Sequence, residues 1–426
     1  MPVASNAPEV TRLVDHLFRR ESGRLVAILT RHFGIAHLHL AEDVVQDALV
    51  KAMQTWPYTG VPQNPSAWLL QTAKNRAIDR TRRDSLWHAK QPELVPLVED
   101  ALHSALNVTP PQFEDEICDS QLRMIFVCCH PGLSPEAQVA LTLKTLCGFG
   151  EKEIAAAFLA TEPAVTKRLG RARQWLREHE VEVELPPAAE LAPRLDSVWQ
   201  VLYLLFNEGY KASHGDSLLR ADLCAEAIRL AELLLTHPLG DRPATHALLA
   251  LMHLNAARLP ARTDGDGSIL LLAEQDRTLW NRSEIKLGVQ QLEVSGTGST
   301  VTRYHLEAGI AACHCLAHDY AATDWRQIVE LYDQLLVADD SPVVALNRAV
   351  ALAQTEGPRA GLAAIDGIKD QKELKNYHLF HAVAGHLWFE AKEWDKAKVC
   401  FRRALELATL PAERTLLEKR LKQCGS

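Results

Sequence analysis

The sequence predicts an all-α protein: two small helical domains, a linker between them, and a helical solenoid after them. Three observations carry this prediction. Two basic segments, 68–83 and 161–177, have apolar residues at helical spacing. A short helix and tight turn precede the second segment. From about residue 190 to the C-terminus, amphipathic stretches of helical period follow one another almost without interruption.

The second basic segment has the pattern of a helix-turn-helix. Residues 151–158 predict a short helix, residues 159–161 predict the turn, and Thr161 can cap the next helix with Pro163 in its first turn. Val165, Leu169, Ala172 and Leu176 fall on one face and predict the core side. The residues predicted to meet duplex DNA are Thr161, Thr166, Lys167, Arg168, Arg171 and Arg173. The alternative is a solvated basic helix in a bundle.

The first basic segment follows an acidic amphipathic helix. This helix is predicted over Ala41–Trp56, and the three prolines and one glycine of residues 57–65 predict an irregular loop. In the next helix, 68–83, Leu69, Thr72, Ala73 and Ile78 are predicted to face the core. The same helix directs several cations to solvent, so the chain carries two basic helices about a hundred residues apart.

These segments resemble a known family. The helix at 41–56 with the loop and helix that follow closely resembles region 2 of the extracytoplasmic-function (ECF) sigma factors of the sigma-70 family. Residues 118–178, opening with Leu133-Ser-Pro-Glu-Ala-Gln138, resemble their region 4. The resemblance implies domains at 1–84 and 118–184, with an acidic, proline-containing linker at 85–117 that threads through the polymerase. A solvated tether is the alternative for the linker.

The resemblance implies partners and contact residues. The helix at 41–56 would dock on the clamp of the largest subunit of core RNA polymerase through Asp43, Gln46, Asp47 and Leu49. Residues 57–83 would melt the minus-ten promoter element, with Asn75 beside a flipped base. The residues expected to hold that strand are Trp68, Lys74, Arg76, Arg80, Arg82 and Arg83. Region 4 would read the minus-thirty-five element and contact the flap of the second-largest subunit. Glu162 and Pro163 depart from the family pattern there, which leaves individual base contacts open.

Composition fits this interpretation and excludes others. The formal net charge is −8, so the chain has no overall basic surface, and polymerase would supply most phosphate binding. No apolar run suits a membrane span and no signal peptide is visible, so a cytoplasmic protein with no membrane partner is expected. Neither Cys128-Cys129-His130 nor the cluster at 313–318 has a zinc-site spacing, and no catalytic motif is evident. No metal, cofactor or enzymatic activity is expected.

The extension at 190–426 is the departure from an ordinary ECF sigma factor. Gly385, Ala397, Phe401 and Ala404 stand at the offsets of a tetratricopeptide (TPR) repeat, and a related pattern begins at Ile328. The extension therefore resembles a degenerate TPR solenoid, although ankyrin or other helix pairs remain open. Such a surface suits a peptide, protein or small-molecule signal, and Asp264, Asp276, Arg277 and Trp280 could form that site or act only as caps and salt bridges.

The interpretation that follows is an ECF-type sigma factor regulated in cis by its extension. The main alternative is a TPR-linked helix-turn-helix regulator without sigma activity, which would have no need for the loop and helix at 57–83. A TPR scaffold with a sigma-like N-terminal half is a third possibility.

Overall fold

The computed structural model describes residues 21–31, 33–87, 120–179, 181, 188–213, 219–265 and 268–425. The predicted all-α class is confirmed: within these residues the only β pairing is an isolated bridge between Thr263 and Ile269. The helices of the N-terminal half are α1 (21–31), α2 (Leu38–Thr59), α3 (Pro65–Trp87), α4 (Ser120–Cys128), α5 (Pro135–Leu146), α6 (Glu151–Ala157) and α7 (Glu162–Glu178). They continue with α8 (Ala188–Leu191), α9 (Leu195–Tyr210), α10 (Ala221–Leu235), α11 (Pro243–Ala256), α12 (Arg282–Ser295) and α13 (Arg303–Leu316). The last six are α14 (Trp325–Ala338), α15 (Pro342–Glu356), α16 (Pro358–Asp366), α17 (His378–Glu390), α18 (Trp394–Leu407) and α19 (Pro411–Gln423).

The loop between α2 and α3 is shorter than predicted. Pro57 lies inside the last turn of α2, which ends when Gly60 takes a φ of 81° and donates its N–H to the carbonyl of Trp56. Pro65 begins α3, where its missing N–H costs nothing, and Asn64 accepts the amide of Ala67 at 3.0 Å. Pro65 fits the first turn of α3, and α2 continues through Pro57 although proline gives up one helical hydrogen bond, so only residues 60–64 form the loop.

The second domain folds as the sequence predicts. Ser134 caps α5, α6 and α7 form the helix-turn-helix, and Leu159 in the turn has a φ of 48°. The four residues predicted to face inward from α7 are all buried: Val165, Leu169, Ala172 and Leu176. Thr161 stands at the N-cap of α7, but its side chain makes no capping hydrogen bond.

The chain divides into two compact units, and the first takes in more than the two N-terminal helical domains. It comprises residues 1–205 and 225–240, whereas the second comprises 206–224 and 241–426. Within the first unit Arg194 is buried at 3 % exposure, and its Nη1 donates to the carbonyl of Phe126 in α4 at 2.9 Å. The start of the extension therefore packs against the helix-turn-helix domain.

Helices of the second unit pack mainly on their neighbours in sequence, as in a solenoid. The eight amphipathic stretches predicted from the sequence correspond to α9, α10, α11, α13, α14, α15, α17 and α18. Helices α12, α16 and α19 are not among these predicted stretches. Helix α12 packs closely on α11 at Gly288, where a Cβ would lie 2.7 Å from the side chain of Leu254. A small residue at that position permits close packing of the two helices.

Gly385 provides a test of the solenoid packing. A Cβ at this position would lie 2.8 Å from ring atoms of Phe401, which is 2 % exposed in the core of α17 and α18. We expect Gly385→Val to destabilise the protein by about 1–3 kcal/mol through overpacking, measured by urea denaturation. Gly296→Ala is the control, because that backbone is right-handed and a Cβ would meet its nearest atom at 3.4 Å. Equal stability of both variants would contradict the described packing.

Candidate nucleic-acid interface

Helix α2 presents a continuous outer face of mixed chemistry. Gln46 and Asp47 are exposed, as the sequence predicted, and Asp43 is half-buried. Leu49 is only 3 % exposed and belongs to the core, so it is not part of this face. Two apolar residues that were not predicted lie there instead, since Val50 is 51 % exposed and Met53 is 49 % exposed. Val50 and Met53 are three residues apart, so their side chains are neighbours on the exposed surface of α2.

Helix α3 presents a polar and cationic face beside the 60–64 loop. Asn75 is exposed and its Oδ1 accepts a hydrogen bond from Nε2 of Gln71 at 3.0 Å. Arg76 is exposed, and Arg80 pairs with Asp43 of α2 at 3.1 Å. Partial burial lowers the pKa of Lys74 from its ordinary value. The amide and the three cations lie within two turns of one helix.

An aromatic contact fixes α3 relative to α2. Trp56, fully buried at the end of α2, meets Trp68 of α3 edge to face with ring centroids 5.3 Å apart. Trp68 is half-buried, and its backbone N–H donates to the carbonyl of Asn64 in the loop at 3.2 Å. Of the predicted strand-binding residues, the side chains of Arg82 and Arg83 lie outside the described part of the structure.

Helix α7 exposes most of the residues predicted to meet duplex DNA. Thr161, Thr166, Lys167 and Arg171 are exposed on one side of the helix. Arg168 is half-buried, and its guanidinium lies 5.4 Å from the ring centroid of Phe158 at the end of α6. Thr166 hydrogen-bonds to the carboxylate of Glu151. The exposed set lies on one surface that a groove could accommodate.

Arg173 departs from this pattern. The sequence predicts it on the outer face of α7, but its Nη2 donates to both carboxylate oxygens of Glu42 in α2, at 2.9 Å each. Thr145 of α5 donates to the same carboxylate at 2.8 Å. The two charged side chains are 29 % and 16 % exposed, so Arg173 is directed towards α2 and is largely withdrawn from solvent. The partner, Glu42, had no signal in the sequence because the two residues are 131 positions apart.

The four residues suggested as a regulatory site have local structural partners. Asp264 accepts the amide of Ser268, and Asp276 accepts both the amide and the hydroxyl of Thr278, which lowers the pKa of Asp276. Arg277 donates to the carbonyls of His314 and Ala317 at the end of α13. Its guanidinium also lies 4.6 Å from the centroid of Trp280, a buried ring. These contacts cap turns and a helix end.

The cysteine and histidine clusters do not form a metal site in the described residues. No group of three or more potential ligands approaches a common point there. Burial raises the pKa of Cys129 to about 12, and burial also raises the pKa of its neighbour Cys128. Such thiols stay protonated at neutral pH and behave as apolar core groups. None of the described helices is both long and apolar enough to cross a membrane.

Three segments of the chain match known protein families. Residues 17–86 match sigma-70 region 2, and residues 123–176 match sigma-70 region 4. Residues 194–296 match a family of unknown function, DUF6596. The chain is also 37 % identical over 395 residues to an uncharacterised protein, R00370, of Rhizobium meliloti (strain 1021). The aligned residues cover 92 % of this chain and 91 % of that protein. No solved structure matches the chain.

The two sigma-70 matches cover the surfaces of α2, α3 and α7 described above. The region 2 match contains α2, the 60–64 loop and the cationic face of α3, and the region 4 match contains nearly all of the helix-turn-helix. These are the domains of a non-enzymatic initiation factor. The chain therefore belongs to the sigma-70 family, and it is a sigma factor that binds core RNA polymerase and promoter DNA to initiate transcription.

Proposed function

We propose that the protein is an ECF-type sigma factor whose C-terminal extension regulates it in cis. The observation that carries the first part is the spacing of the two sigma regions. Only residues 87–122 separate the region 2 and region 4 matches. A segment of that size is too short for a further domain with its own core, which supports a two-domain sigma factor.

The outer face of α2 is the proposed docking surface for the clamp of the largest polymerase subunit. Gln46, Asp47, Val50 and Met53 lie on adjacent stripes of the helix and combine an acidic group with apolar side chains. Interfaces of this kind obtain affinity from the desolvated apolar centre and orientation from the charges around it. Region 4 would in turn contact the flap of the second-largest subunit.

The experiment for this proposal places charges on the docking face. We expect Val50→Glu combined with Met53→Glu to weaken binding to core polymerase by about 100-fold, because both apolar contacts are lost and two charges must be desolvated. Fluorescence anisotropy of labelled full-length protein with core polymerase measures this. The control is Val337→Glu with Val399→Glu, which alters two residues that are 91 % and 64 % exposed in the extension. Equal loss in both variants would contradict α2 as the docking surface.

The surface formed by the 60–64 loop and α3 is proposed to hold the melted minus-ten strand. An unpaired base needs polar groups for its edge, and the exposed amide of Asn75 supplies both a donor and an acceptor. Lys74, Arg76 and Arg80 would neutralise backbone phosphates, and Trp68 would border the strand. Arg80 can do so only after it leaves Asp43.

The exposed side of α7 is proposed to enter the major groove at the minus-thirty-five element. Lys167 and Arg171 point to solvent and can reach phosphates or guanine edges, while Thr161 and Thr166 can contact bases or sugar oxygens. Arg168 is more restricted by its contact with Phe158. Arg173 could join this set only when its pair with Glu42 is broken.

Regulation by the extension is supported by its direct attachment to region 4. Arg194 is at the start of the extension, and its buried guanidinium donates to the carbonyl of Phe126 in region 4. The helices that follow stack as neighbouring pairs with close contacts such as Gly385 against Phe401, which supports a TPR-like solenoid. We infer that a signal bound by the extension acts on region 4 through this attachment.

A further inference from the structure

Four arginines of the extension lie close together without an acidic partner. The guanidiniums of Arg258, which follows α11, and Arg277, which precedes α12, lie 5.5 Å and 4.6 Å from the ring centroid of Trp280. Arg262 and Arg282 complete this set, since Arg258 repels Arg262 and Arg282 repels Arg277. Burial lowers the pKa of Arg262 and of Arg277, and repulsion from Arg258 lowers both further. Among the described residues, none forms an ion pair with any of these four side chains, which we call the arginine cluster.

Acidic residues beside the arginine cluster in sequence are engaged elsewhere. Asp276 accepts hydrogen bonds from Thr278, and Glu284 pairs with His253 at 2.6 Å. Asp319 attracts the cluster, but its side chain is 58 % exposed and accepts a backbone amide of its own turn at 2.8 Å. The cluster therefore keeps an excess of positive charge, and the N-terminal end of α12 adds to it.

Two buried donors at the cluster have no acceptor among the described residues. Trp280 is 2 % exposed and its Nε1 makes no hydrogen bond there, and the same is true of the buried Nε of Arg258. The Nδ1 of His314 is likewise buried and unpartnered. Burial, together with Arg258 and Arg277, lowers the pKa of His314 to about 3, so this ring is neutral at neutral pH. Because native proteins satisfy most buried donors, the cluster has the donors and the charge that suit a bound anion.

Hydrogen bonds between three segments hold the cluster in place. Nη1 of Arg277 donates to two carbonyls at the end of α13, at 2.7 and 2.8 Å. The amide of Asn281 donates to the carbonyl of Ala257 at 2.9 Å, and Sγ of Cys315 donates to the carbonyl of Leu254 at 3.3 Å. The ends of α11 and α13 and the start of α12 are therefore joined around the arginines. Binding to a site that is already ordered loses little conformational entropy.

We propose that the arginine cluster binds the carboxylate or phosphate group of a small molecule, and that this ligand is the signal to which the extension responds. The second part rests on the proposed regulation in cis. A guanidinium matches either group with paired N–H donors, and a bound anion offsets the repulsion among the four cations. Arg258 and Nε1 of Trp280 supply the donors that have no acceptor in the described structure. Arg282 is exposed, so the site is accessible to solvent on that side.

Isothermal titration calorimetry with the full-length protein tests the site. The titrants are sodium phosphate and sodium succinate, in chloride buffer of constant ionic strength. We expect saturable one-to-one binding of at least one of them, and a loss of affinity of at least about tenfold in Arg258→Gln, because the guanidinium is removed. Arg402→Gln, which removes an exposed arginine of α18, is the matched control and should keep the wild-type affinity. Binding of phosphate alone would identify a phosphate-bearing ligand, and binding of succinate alone a carboxylate.

A second variant separates binding from folding. Trp280→Phe keeps an aromatic ring beside Arg258 and Arg277 and removes the Nε1 donor. Its affinity for the anion should fall several-fold while its circular dichroism spectrum stays that of the wild type. If Arg258→Gln does not fold, Trp280→Phe decides. The proposal is overturned if neither anion binds, or if the folded cluster variants bind the anion as tightly as Arg402→Gln does.

Run-off transcription with core polymerase separates this proposal from the proposed function. A change in transcript yield on addition of the anion, absent in the folded cluster variant, supports the anion as the signal. An unchanged yield overturns the anion as the signal, while calorimetry still decides whether the cluster binds it. No transcription with or without the anion would contradict the proposed function, and the signal with it, but would leave the binding result for the cluster intact.

Discussion

Lys167→Glu combined with Arg171→Glu is expected to reduce transcription from a promoter with a minus-thirty-five element by at least about 100-fold. Both side chains are exposed on α7 and neither is committed to a described ion pair. Loss of each cationic contact costs about 1–3 kcal/mol, and the introduced carboxylates repel the phosphates. Run-off transcription with core polymerase measures the effect, and binding of the variant to polymerase should be nearly unchanged.

The control for this variant carries the same charge change in the extension. Arg326 and Lys372 are exposed residues outside both sigma regions, so Arg326→Glu with Lys372→Glu should leave transcription within about twofold. A similar loss of transcription in both double variants would indicate a general charge effect. Full activity of the α7 variant would contradict α7 as the element that reads DNA.

Glu413→Gln is expected to destabilise the second unit by about 3 kcal/mol at pH 7. Glu413 is 6 % exposed in α19 and pairs with Lys211 at 3.0 Å and with His378 at 3.1 Å. Burial alone would raise the pKa of Glu413, but the contacts with His378 and Lys211 outweigh burial and lower it to about 2. Removing the charge leaves Lys211 and His378 facing a neutral amide, which is a weaker hydrogen-bond partner than the carboxylate.

The depressed pKa fixes the pH range in which this contribution is lost. Because the unfolded carboxyl titrates near pH 4.5, the stabilisation is fully present above that value and falls as the pH decreases towards 2. Denaturation of the wild type and of Glu413→Gln should therefore give a free-energy difference that is constant at neutral pH and shrinks below about pH 4.5. Glu418→Gln, an exposed change on the same helix, should have no such effect. A pH-independent difference would contradict the role of the ion pairs.

Much of the local structure could be predicted because it depends on residues close in sequence. The helix-turn-helix, the inward residues of α7 and eight helices of the extension follow from apolar spacing. The loop at 57–65 was predicted too long, because Pro65 starts a helix rather than breaking one and α2 continues through Pro57 to Thr59. Leu49 was placed on the docking face, but three-dimensional packing assigns it to the core and exposes Val50 and Met53.

The contacts between distant segments carried no sequence signal. Glu42 looks like any acidic residue of an amphipathic helix, and only the fold brings it to Arg173. The same holds for Glu413, which meets Lys211 from a position about two hundred residues away. Arg277 lies three residues before Trp280 in the sequence, but its hydrogen-bond partners are backbone carbonyls at the end of α13. Backbone acceptors are not visible in residue identities.

As a sigma factor, this chain should direct core polymerase to promoters. The most direct measurement is run-off transcription with purified core polymerase and genomic promoter fragments, with and without the full-length protein. We expect initiation that depends on the added protein. No initiation from any fragment, together with duplex binding that does not require polymerase, would contradict it.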